Sequence, residues 1–160
     1  MVFVTVGTHE QPFDRLMREV ERLVGEGKLS DVVVQYGFST VQPKDCMCKQ
    51  FLSYDEMKDC YARADAVVTH GGPSTFIEAM SYGKVPVVVP RQAQFNEHVN
   101  DHQVKFVKAF AERMGGIIPV YDIKDLEAAI AKATGERETN TTVSNNAKFC
   151  SELSTLVERL

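Results

Sequence analysis

The sequence has no excess of basic residues, no long hydrophobic run and few cysteines. Its 160 residues carry a formal net charge of -4 at pH 7 and a pI near 5.6. This balance argues against a nucleic-acid groove, which is usually basic. No apolar stretch approaches the roughly 20 residues of a membrane helix, and the first residues lack the basic and apolar regions of a signal peptide. These absences predict a cytoplasmic protein, peripheral to a membrane at most.

The four cysteines do not form a recognisable metal-binding pattern. Cys46 and Cys48 are separated by one residue, whereas zinc-binding pairs are usually separated by two to four. Cys60 and Cys150 form no second pair. In a reducing compartment such residues are usually buried or half-buried thiols. The sequence therefore predicts no metal site.

Short apolar runs alternate with helical patterns along the chain. The apolar runs predict strands at residues 2–6, 31–35, 47–51, 66–69, 85–89 and 117–118. The helical patterns lie at residues 11–24, 55–63, 74–82, 95–114 and 126–130. Strands separated by helices, without hairpin turns, indicate right-handed crossovers and a parallel sheet. We predict a doubly wound, Rossmann-like α/β fold in a single domain over residues 1–160.

The C-terminal part of this domain has a different pattern. Residues 134–145 are polar and rich in turn-forming residues, which predicts a loop. Beyond it, one helical stripe contains Val143, Ala147, Cys150, Leu153, Val157 and Leu160. The predicted helix at 143–160 either packs on the domain or docks onto a second protein.

The most informative segment is 70–78, in which a strand ends at a glycine turn and a helix begins. Gly71 and Gly72 allow the backbone to approach a ligand closely. Ser74 and Thr75 add hydroxyl groups beside the free N–H groups and the positive dipole end of the helix. This combination of groups can hold a phosphate.

Two further side chains extend this interpretation. His70 can donate a hydrogen bond to a phosphate, and Glu78, on the helix face of Ser74, can accept hydrogen bonds from a ribose diol. Alternatively, the glycines form only a turn, and Glu78 belongs to a capping arrangement. The sequence contains neither the Gly-Lys-Ser/Thr of a P-loop nor a GxGxxG after a strand. A sugar nucleotide is therefore favoured over ATP or NAD.

Two other predicted loops carry polar groups. Gly7 and Thr8 close the first strand and lead through His9 into the first helix, which offers amides to a diphosphate. Residues 91–103 follow the fifth strand and concentrate amides, imidazoles and carboxylates, the groups that polyhydroxyl recognition needs. Alternatively, some of them form the outer face of a helix that begins near Phe95.

Three separated segments resemble, in the right order, the C-terminal donor-binding domain of the family 28 GT-B glycosyltransferases. Segment 70–78 resembles the H-x-G-x-x-S/T-x-x-E donor motif, and segment 100–103 resembles the D/N-H-Q sugar-contacting segment. The chain from Val2 to about Val120 resembles this domain and, more closely, the stand-alone catalytic subunit of two-component UDP-sugar transferases of the dolichol-linked N-acetylglucosamine type. Segment 4–16 is more similar still to the bacterial relatives in exopolysaccharide and capsule clusters. The resemblance implies one half of a GT-B fold.

The resemblance also implies a role for individual residues. Glu78 would bind the ribose, and the backbone of Phe51 and Leu52 would contact the uracil edge. The residues implied to bind the diphosphate are Gly7, Thr8, His70, Gly71, Gly72, Ser74 and Thr75. Those implied to contact the sugar are Gln94, Asn96, Asp101, His102 and Gln103. Such enzymes are inverting and metal-independent, because the helix dipole and the phosphate-binding groups stabilise the leaving UDP. His9 is a candidate general base. It can equally be a phosphate contact, and the base can lie on a partner.

Complete enzymes of this kind have a second domain that binds a lipid acceptor and contacts the membrane. The sequence contains no match to that domain. The resemblance therefore implies a UDP-sugar donor, a membrane-anchored acceptor-binding subunit and a lipid-linked acceptor, with the chain peripheral at the inner face of the membrane. The sugar transferred is a hexose or an N-acetylhexosamine. One alternative is a non-catalytic nucleotide-sugar-binding or activating subunit. Another, a UDP-sugar epimerase, is disfavoured by the short chain.

Overall fold

The computed structural model describes residues 1–139 and shows one six-stranded parallel sheet with helices on both faces. The strands are β1 (Val2–Thr5), β2 (Val32–Gln35), β3 (Met47–Lys49), β4 (Ala66–His70), β5 (Val87–Val89) and β6 (Ile118–Pro119). The helices are α1 (Asp14–Gly25), α2 (Tyr54–Arg63), α3 (Pro73–Ser81), α4 (His102–Arg113) and α5 (Leu126–Thr139), with 3-10 turns at Ala93–Phe95 and Ile123–Asp125. The strand order β3-β2-β1-β4-β5-β6 confirms the predicted doubly wound fold.

The strands are apolar on both sides because each side of the sheet packs against helices. On β1, Val2 and Val4 contribute to a core that includes Leu16 of α1 and Leu126 of α5. Phe3 points the opposite way, into a core that α2 and α3 cover. A third core lies between α3, α4 and β5. This alternation places α1 and α5 on one face and α2, α3 and α4 on the other.

The predicted helix beginning near Phe95 is wrong. The chain makes only a 3-10 turn at Ala93–Phe95, and α4 begins seven residues later, at His102. Asn96 ends the turn in a left-handed conformation with a φ of 56°, which interrupts any helix. The side chain of Glu97 is buried and accepts a hydrogen bond from the Gln92 amide, so it fixes a loop instead.

The predicted loop at 134–145 is wrong at its beginning, because α5 continues to Thr139. The Thr134 hydroxyl donates to the carbonyl of Ile130 within that helix, so this polar residue is compatible with it. The rest of that loop and the predicted helix at 143–160 lie outside the described residues.

Three cysteines lie within residues 1–139, and all are free. Cys60 is buried, whereas Cys46 and Cys48 are half-buried, which confirms the predicted burial of these thiols. Burial, followed by the nearby Cys48, raises the pKa of Cys46 to about 11. Cys150 lies outside the described part of the chain. None of the helices up to residue 139 combines the length and apolar character needed to cross a bilayer.

Candidate functional site

The loops that follow β1, β4 and β5 meet at the carboxyl edge in the centre of the sheet. The chain winds outward from β1 to β2 and β3 on one side, and from β4 to β5 and β6 on the other. In doubly wound sheets, ligands bind in the crevice where this direction switches. The fold therefore brings the predicted segments 7–9, 70–75 and 91–103 to the edge where a ligand is expected.

His70, the last residue of β4, lies buried between two glycines. A Cβ atom added to Gly7 would lie 2.4 Å from His70 Cε1, and one added to Gly72 would lie 2.2 Å from His70 Nε2. Both positions therefore require glycine, because any side chain would collide with the imidazole ring. Gly7 also has a φ of 71°, which glycine adopts without strain.

The imidazole of His70 is neutral near pH 7. Burial, followed by the charges of Arg91 and His9, lowers the pKa of His70 to about 3. Its buried Nδ1 atom makes no hydrogen bond of standard geometry within residues 1–139, and the backbone of Thr5 opposes the lowering of the pKa. A neutral imidazole donates one hydrogen bond and accepts another. His70 therefore places a neutral imidazole at the carboxyl end of β4.

The N-terminus of α3 lies directly beyond His70 and is not capped by a side chain. Gly72 is the N-cap residue, and Pro73 is the first residue of the helix. The amide of Thr75 bonds the carbonyl of Gly72 at 3.2 Å, and the exposed Ser74 makes no side-chain hydrogen bond within the described region. The capping arrangement considered as an alternative is therefore not formed. The first turn of α3 keeps N–H groups that can bind an anion.

Glu78 lies one turn further along α3 and is half-buried. None of the hydrogen bonds within residues 1–139 uses its carboxylate. The pKa of the buried Tyr61 is raised first by burial and then by the charge of Glu78. The Tyr61 hydroxyl donates to the carbonyl of Thr75 at 3.3 Å. The helix thus carries a carboxylate with unused acceptor capacity one turn from its N-terminus.

Gln103, in the first turn of α4, connects two of the strand-end loops. Its Oε1 atom accepts from the backbone amide of Gly71 at 3.1 Å and from that of Arg91 at 3.0 Å. Asp101 accepts from the Ala93 amide at 2.9 Å. Both predicted sugar contacts therefore also shape the backbone around the site, and the Nε2 atom of Gln103 makes no hydrogen bond within residues 1–139.

The other predicted sugar contacts are exposed. Gln94 Nε2 donates to Gln92 Oε1 at 2.6 Å. The carbonyl of Asn96 accepts from Gln11 Nε2 at 3.4 Å. His102 begins α4, and its backbone amide donates to the side chain of Asn100. Thr8 is also exposed, directly after Gly7. These residues lie on the exposed border of the carboxyl edge of the sheet and do not form its buried part.

Phe51 and Leu52 lie further along the sheet. They follow β3, which is two strands from β1, a distance of about 10 Å across the sheet. The Leu52 amide donates to Gln35 Oε1 at 2.8 Å. The half-exposed Phe51 ring meets Phe38 edge to face, with 5.5 Å between the ring centroids. Together these residues form the outer end of the same carboxyl edge.

His9 is held between two residues that the sequence analysis did not single out. Its Nε2 atom lies 2.9 Å from Gln11 Oε1. Its ring stacks on His98, with 4.7 Å between the centroids and 15° between the planes. Burial, followed by His9 and Arg91, lowers the pKa of His98. Nothing in the sequence spacing indicated that residues 9 and 98 would touch.

Arg91 is the residue whose role the sequence analysis missed most clearly. It belongs to segment 91–103, whose polar groups suit polyhydroxyl recognition, but its side chain is fully buried. Nη2 donates to the carbonyl of Val6, and Nη1 donates to those of Gln11, Pro12 and Glu97. Burial lowers the pKa of Arg91 to about 10, so the guanidinium stays charged near pH 7. Arg91 therefore places a positive charge beneath the site and joins the loops after β1 and β5.

The sequence of this chain is related to a known protein family. The family model described as the glycosyltransferase family 28 C-terminal domain matches residues 1–160. The chain belongs to this family. Over 106 residues, this family 28 domain is 31% identical to the mouse (Mus musculus) protein named UDP-N-acetylglucosamine transferase subunit ALG13. The match covers 60% of the chain and 9% of the mouse protein.

Solved glycosyltransferase structures share the fold of this family 28 domain. The glycotransferase of kitacinnamycin superposes with a TM-score of 0.59 at 16% identity, covering 86% of this chain and 35% of that one. MurG of Acinetobacter baumannii superposes with a TM-score of 0.54 at 16% identity, covering 94% of this chain and 48% of MurG. The chain thus spans less than half of each of these proteins, and the likeness confirms one half of a GT-B architecture.

Proposed function

We propose that this chain is the donor-binding, catalytic subunit of an inverting, metal-independent UDP-sugar transferase. The observation that carries the proposal is the anion-binding arrangement at the centre of the sheet edge. There the uncapped N-terminus of α3, the neutral imidazole of His70 and the buried charge of Arg91 lie together. Each of these groups favours a diphosphate.

The same arrangement supports departure of the nucleotide without a metal. When the bond between the sugar and UDP breaks, negative charge develops on the diphosphate. We infer that the amides of the α3 N-terminus, the hydroxyl of Ser74 and the loop at Gly7 and Thr8 donate to that charge, which the uncapped N-terminus and the exposure of Ser74 and Thr8 support. Donors that are fixed before the reaction stabilise such charge most effectively.

The remaining parts of the donor are bound by groups further along the carboxyl edge of the sheet. Glu78 binds the ribose diol with its unused carboxylate, and the backbone at Phe51 and Leu52 reads the uracil. The sugar contacts are Gln94, Asn96, Asp101, His102 and Gln103. His9 is the candidate general base, which removes the proton from the acceptor hydroxyl as the oxygen attacks the anomeric carbon from the side opposite UDP.

The acceptor side of the reaction belongs to a second protein. This inference is supported by the mouse relative, which is named as a transferase subunit. We infer a membrane-anchored partner that presents a lipid-linked acceptor, with this chain peripheral at the inner face of the membrane. The product is a hexose or N-acetylhexosamine linkage in an exopolysaccharide, a capsule or a glycolipid.

Calorimetric titration with UDP, followed by a panel of UDP-sugars, tests the donor site directly. We expect Glu78→Ala to weaken UDP binding by about ten- to a hundredfold, since hydrogen bonds to a charged group contribute about 1.5–3 kcal/mol. The control is Glu112→Ala, which removes an exposed carboxylate from α4. Equal UDP affinities for the wild type and Glu78→Ala would show that Glu78 does not bind the ribose.

Reconstitution with the partner separates the catalytic subunit from a non-catalytic one. We expect sugar transfer that persists in EDTA. Transfer that is lost in EDTA and restored by magnesium would contradict metal independence. A chain that binds UDP-sugars but never supports transfer, even with its partner, would instead be a nucleotide-sugar-binding or activating subunit.

A further inference from the structure

A short chain of hydrogen bonds fixes the orientation of the His9 side chain. Gln11 Nε2 donates to the carbonyl of Asn96 at 3.4 Å, and Gln11 Oε1 faces His9 Nε2 at 2.9 Å. The opposite orientation of the Gln11 amide would bring its oxygen against the Asn96 carbonyl oxygen, which is repulsive. An amide oxygen can only accept a hydrogen bond. The hydrogen in this contact therefore lies on His9 Nε2.

The support of Gln11 reaches into the core of the domain. Arg91 Nη1 donates to the backbone carbonyl of Gln11 at 2.7 Å, and the Arg91 side chain is fully buried. Arg91 Nη1 also donates to the carbonyl of Glu97, next to Asn96. The buried guanidinium thus fixes the backbone of Gln11 itself and of the residue that follows Asn96.

His98 restrains the same imidazole from a second direction. The two rings are stacked, with 4.7 Å between their centroids and 15° between their planes. His98 Nδ1 accepts from the Asn100 amide at 3.4 Å, which leaves Nε2 as the protonated nitrogen of a neutral His98. A neutral ring offers a flat surface that His9 can pack against without charge repulsion.

The second ring nitrogen of His9 remains available. The buried side-chain atoms without a partner among residues 1–139 are Thr69 Oγ1, His70 Nδ1 and Arg91 Nε. His9 Nδ1 is not one of them and makes no hydrogen bond within these residues, so it is accessible to solvent. In a neutral imidazole with hydrogen on Nε2, Nδ1 carries the lone pair.

We propose that Gln11 and His98 are positioning residues that hold His9 as the Nε2–H tautomer, so that Nδ1 is the atom that receives the proton of the acceptor hydroxyl. The proton step rests on the proposed function, whereas the tautomer and its support do not. As the acceptor oxygen bonds to the anomeric carbon, the bond from that carbon to the diphosphate breaks and its electron pair leaves with UDP. The hydroxyl proton moves to Nδ1, and Gln11 Oε1 continues to accept from Nε2–H of the resulting imidazolium.

Nuclear magnetic resonance of the ¹⁵N-labelled full-length chain tests the positioning without any substrate. We expect a His9 signal pattern with hydrogen on Nε2, and an Nε2–H proton protected from exchange with water. Gln11→Leu should remove that protection. In the same way, His98→Phe should preserve protection better than His98→Ala. Unchanged resonances of His70 and His102 report that each variant is folded.

Hydrogen on Nδ1 of His9 in the wild type, or equal protection in Gln11→Leu and the wild type, would overturn the positioning. The calorimetric titration distinguishes this failure from that of the donor site, since Gln11→Leu should leave UDP affinity unchanged. With the partner present, Gln11→Leu should lower kcat by about tenfold or more, as general base catalysis contributes about 10²–10⁴-fold, while KM for the donor stays the same. An unchanged kcat would contradict the role of His9 Nδ1.

Discussion

Replacing Gly72 by alanine is a direct test of how tightly the site is built around His70. The added Cβ would lie 2.2 Å from His70 Nε2. The ring cannot retreat, because Gly7 lies against it at Cε1. Gly72 itself has φ of -74° and ψ of 123°, which alanine adopts readily. Any loss of stability therefore comes from the collision and not from the backbone.

The expected loss can be bounded. Overpacking a buried site costs about 1–3 kcal/mol. Replacing glycine by alanine in a permitted conformation restores about 0.4–1 kcal/mol by restricting the unfolded chain. We therefore expect Gly72→Ala to lower the free energy of unfolding by about 1–2 kcal/mol, measured by urea denaturation. Gly25→Ala is the matched control, since a Cβ there meets nothing within 4 Å, and it should be neutral or stabilising.

A double-mutant cycle with His70→Ala identifies the source of the loss. Without the imidazole, the new methyl group has room, so Gly72→Ala should cost little or even stabilise the His70→Ala background. If Gly72→Ala destabilises both backgrounds equally, the ring does not occupy the space beside residue 72. The packing of His70 between the two glycines would then be refuted.

Three further predictions concern the residues around His70. The pKa of His70 is about 3, below the usual 6.5. Below pH 6.5 the unfolded chain therefore binds a proton that the folded chain does not bind. The unfolding equilibrium constant then rises by up to about tenfold per pH unit. His70→Asn should flatten this fall between pH 6.5 and 5 in denaturant titrations, and an equal slope would show that His70 is not neutral. Arg91→Met should lower Tm by about 10 °C or more, because several buried carbonyls lose their hydrogen-bond donor at a cost of about 1–3 kcal/mol each. A wild-type Tm in Arg91→Lys would show that the branched guanidinium is not required. Gln103→Leu should destabilise the protein by about 1–3 kcal/mol because the amides of Gly71 and Arg91 lose their acceptor, Gln103→Glu should retain most of that stability, and equal denaturation midpoints would contradict the link.

The alternation of apolar runs was enough to predict the sheet and both helical layers, because strands buried on two faces have a distinctive composition. The position of the site followed from topology, since parallel strands end at one edge. The loop at 91–101 was not predictable in this way. Its apolar residues Phe95 and Val99 have helical spacing with Phe106, but Asn96 and the buried Glu97 determine a turn instead.

Contacts between side chains that are far apart in the sequence could not be predicted either. His9 and His98 are 89 positions apart and contact each other only because β1 and β5 are separated by a single strand. The sequence analysis assigned no individual role to Arg91, because its position at a strand end did not indicate that the side chain is buried. Only the three-dimensional arrangement shows that its Nη1 and Nη2 atoms donate to backbone carbonyls.

The preference of Arg91 for carbonyl oxygens has a consequence for how this site can diversify. Every amino acid carries a carbonyl, so the guanidinium anchors the path of the two loops without constraining most of the side chains they display. The exposed Gln94 can be exchanged while the backbone keeps its course, whereas Asn96 is restricted by its left-handed conformation. A small number of substitutions at the rim can therefore alter the chemistry offered to a ligand, and the stability of the domain stays largely independent of that choice.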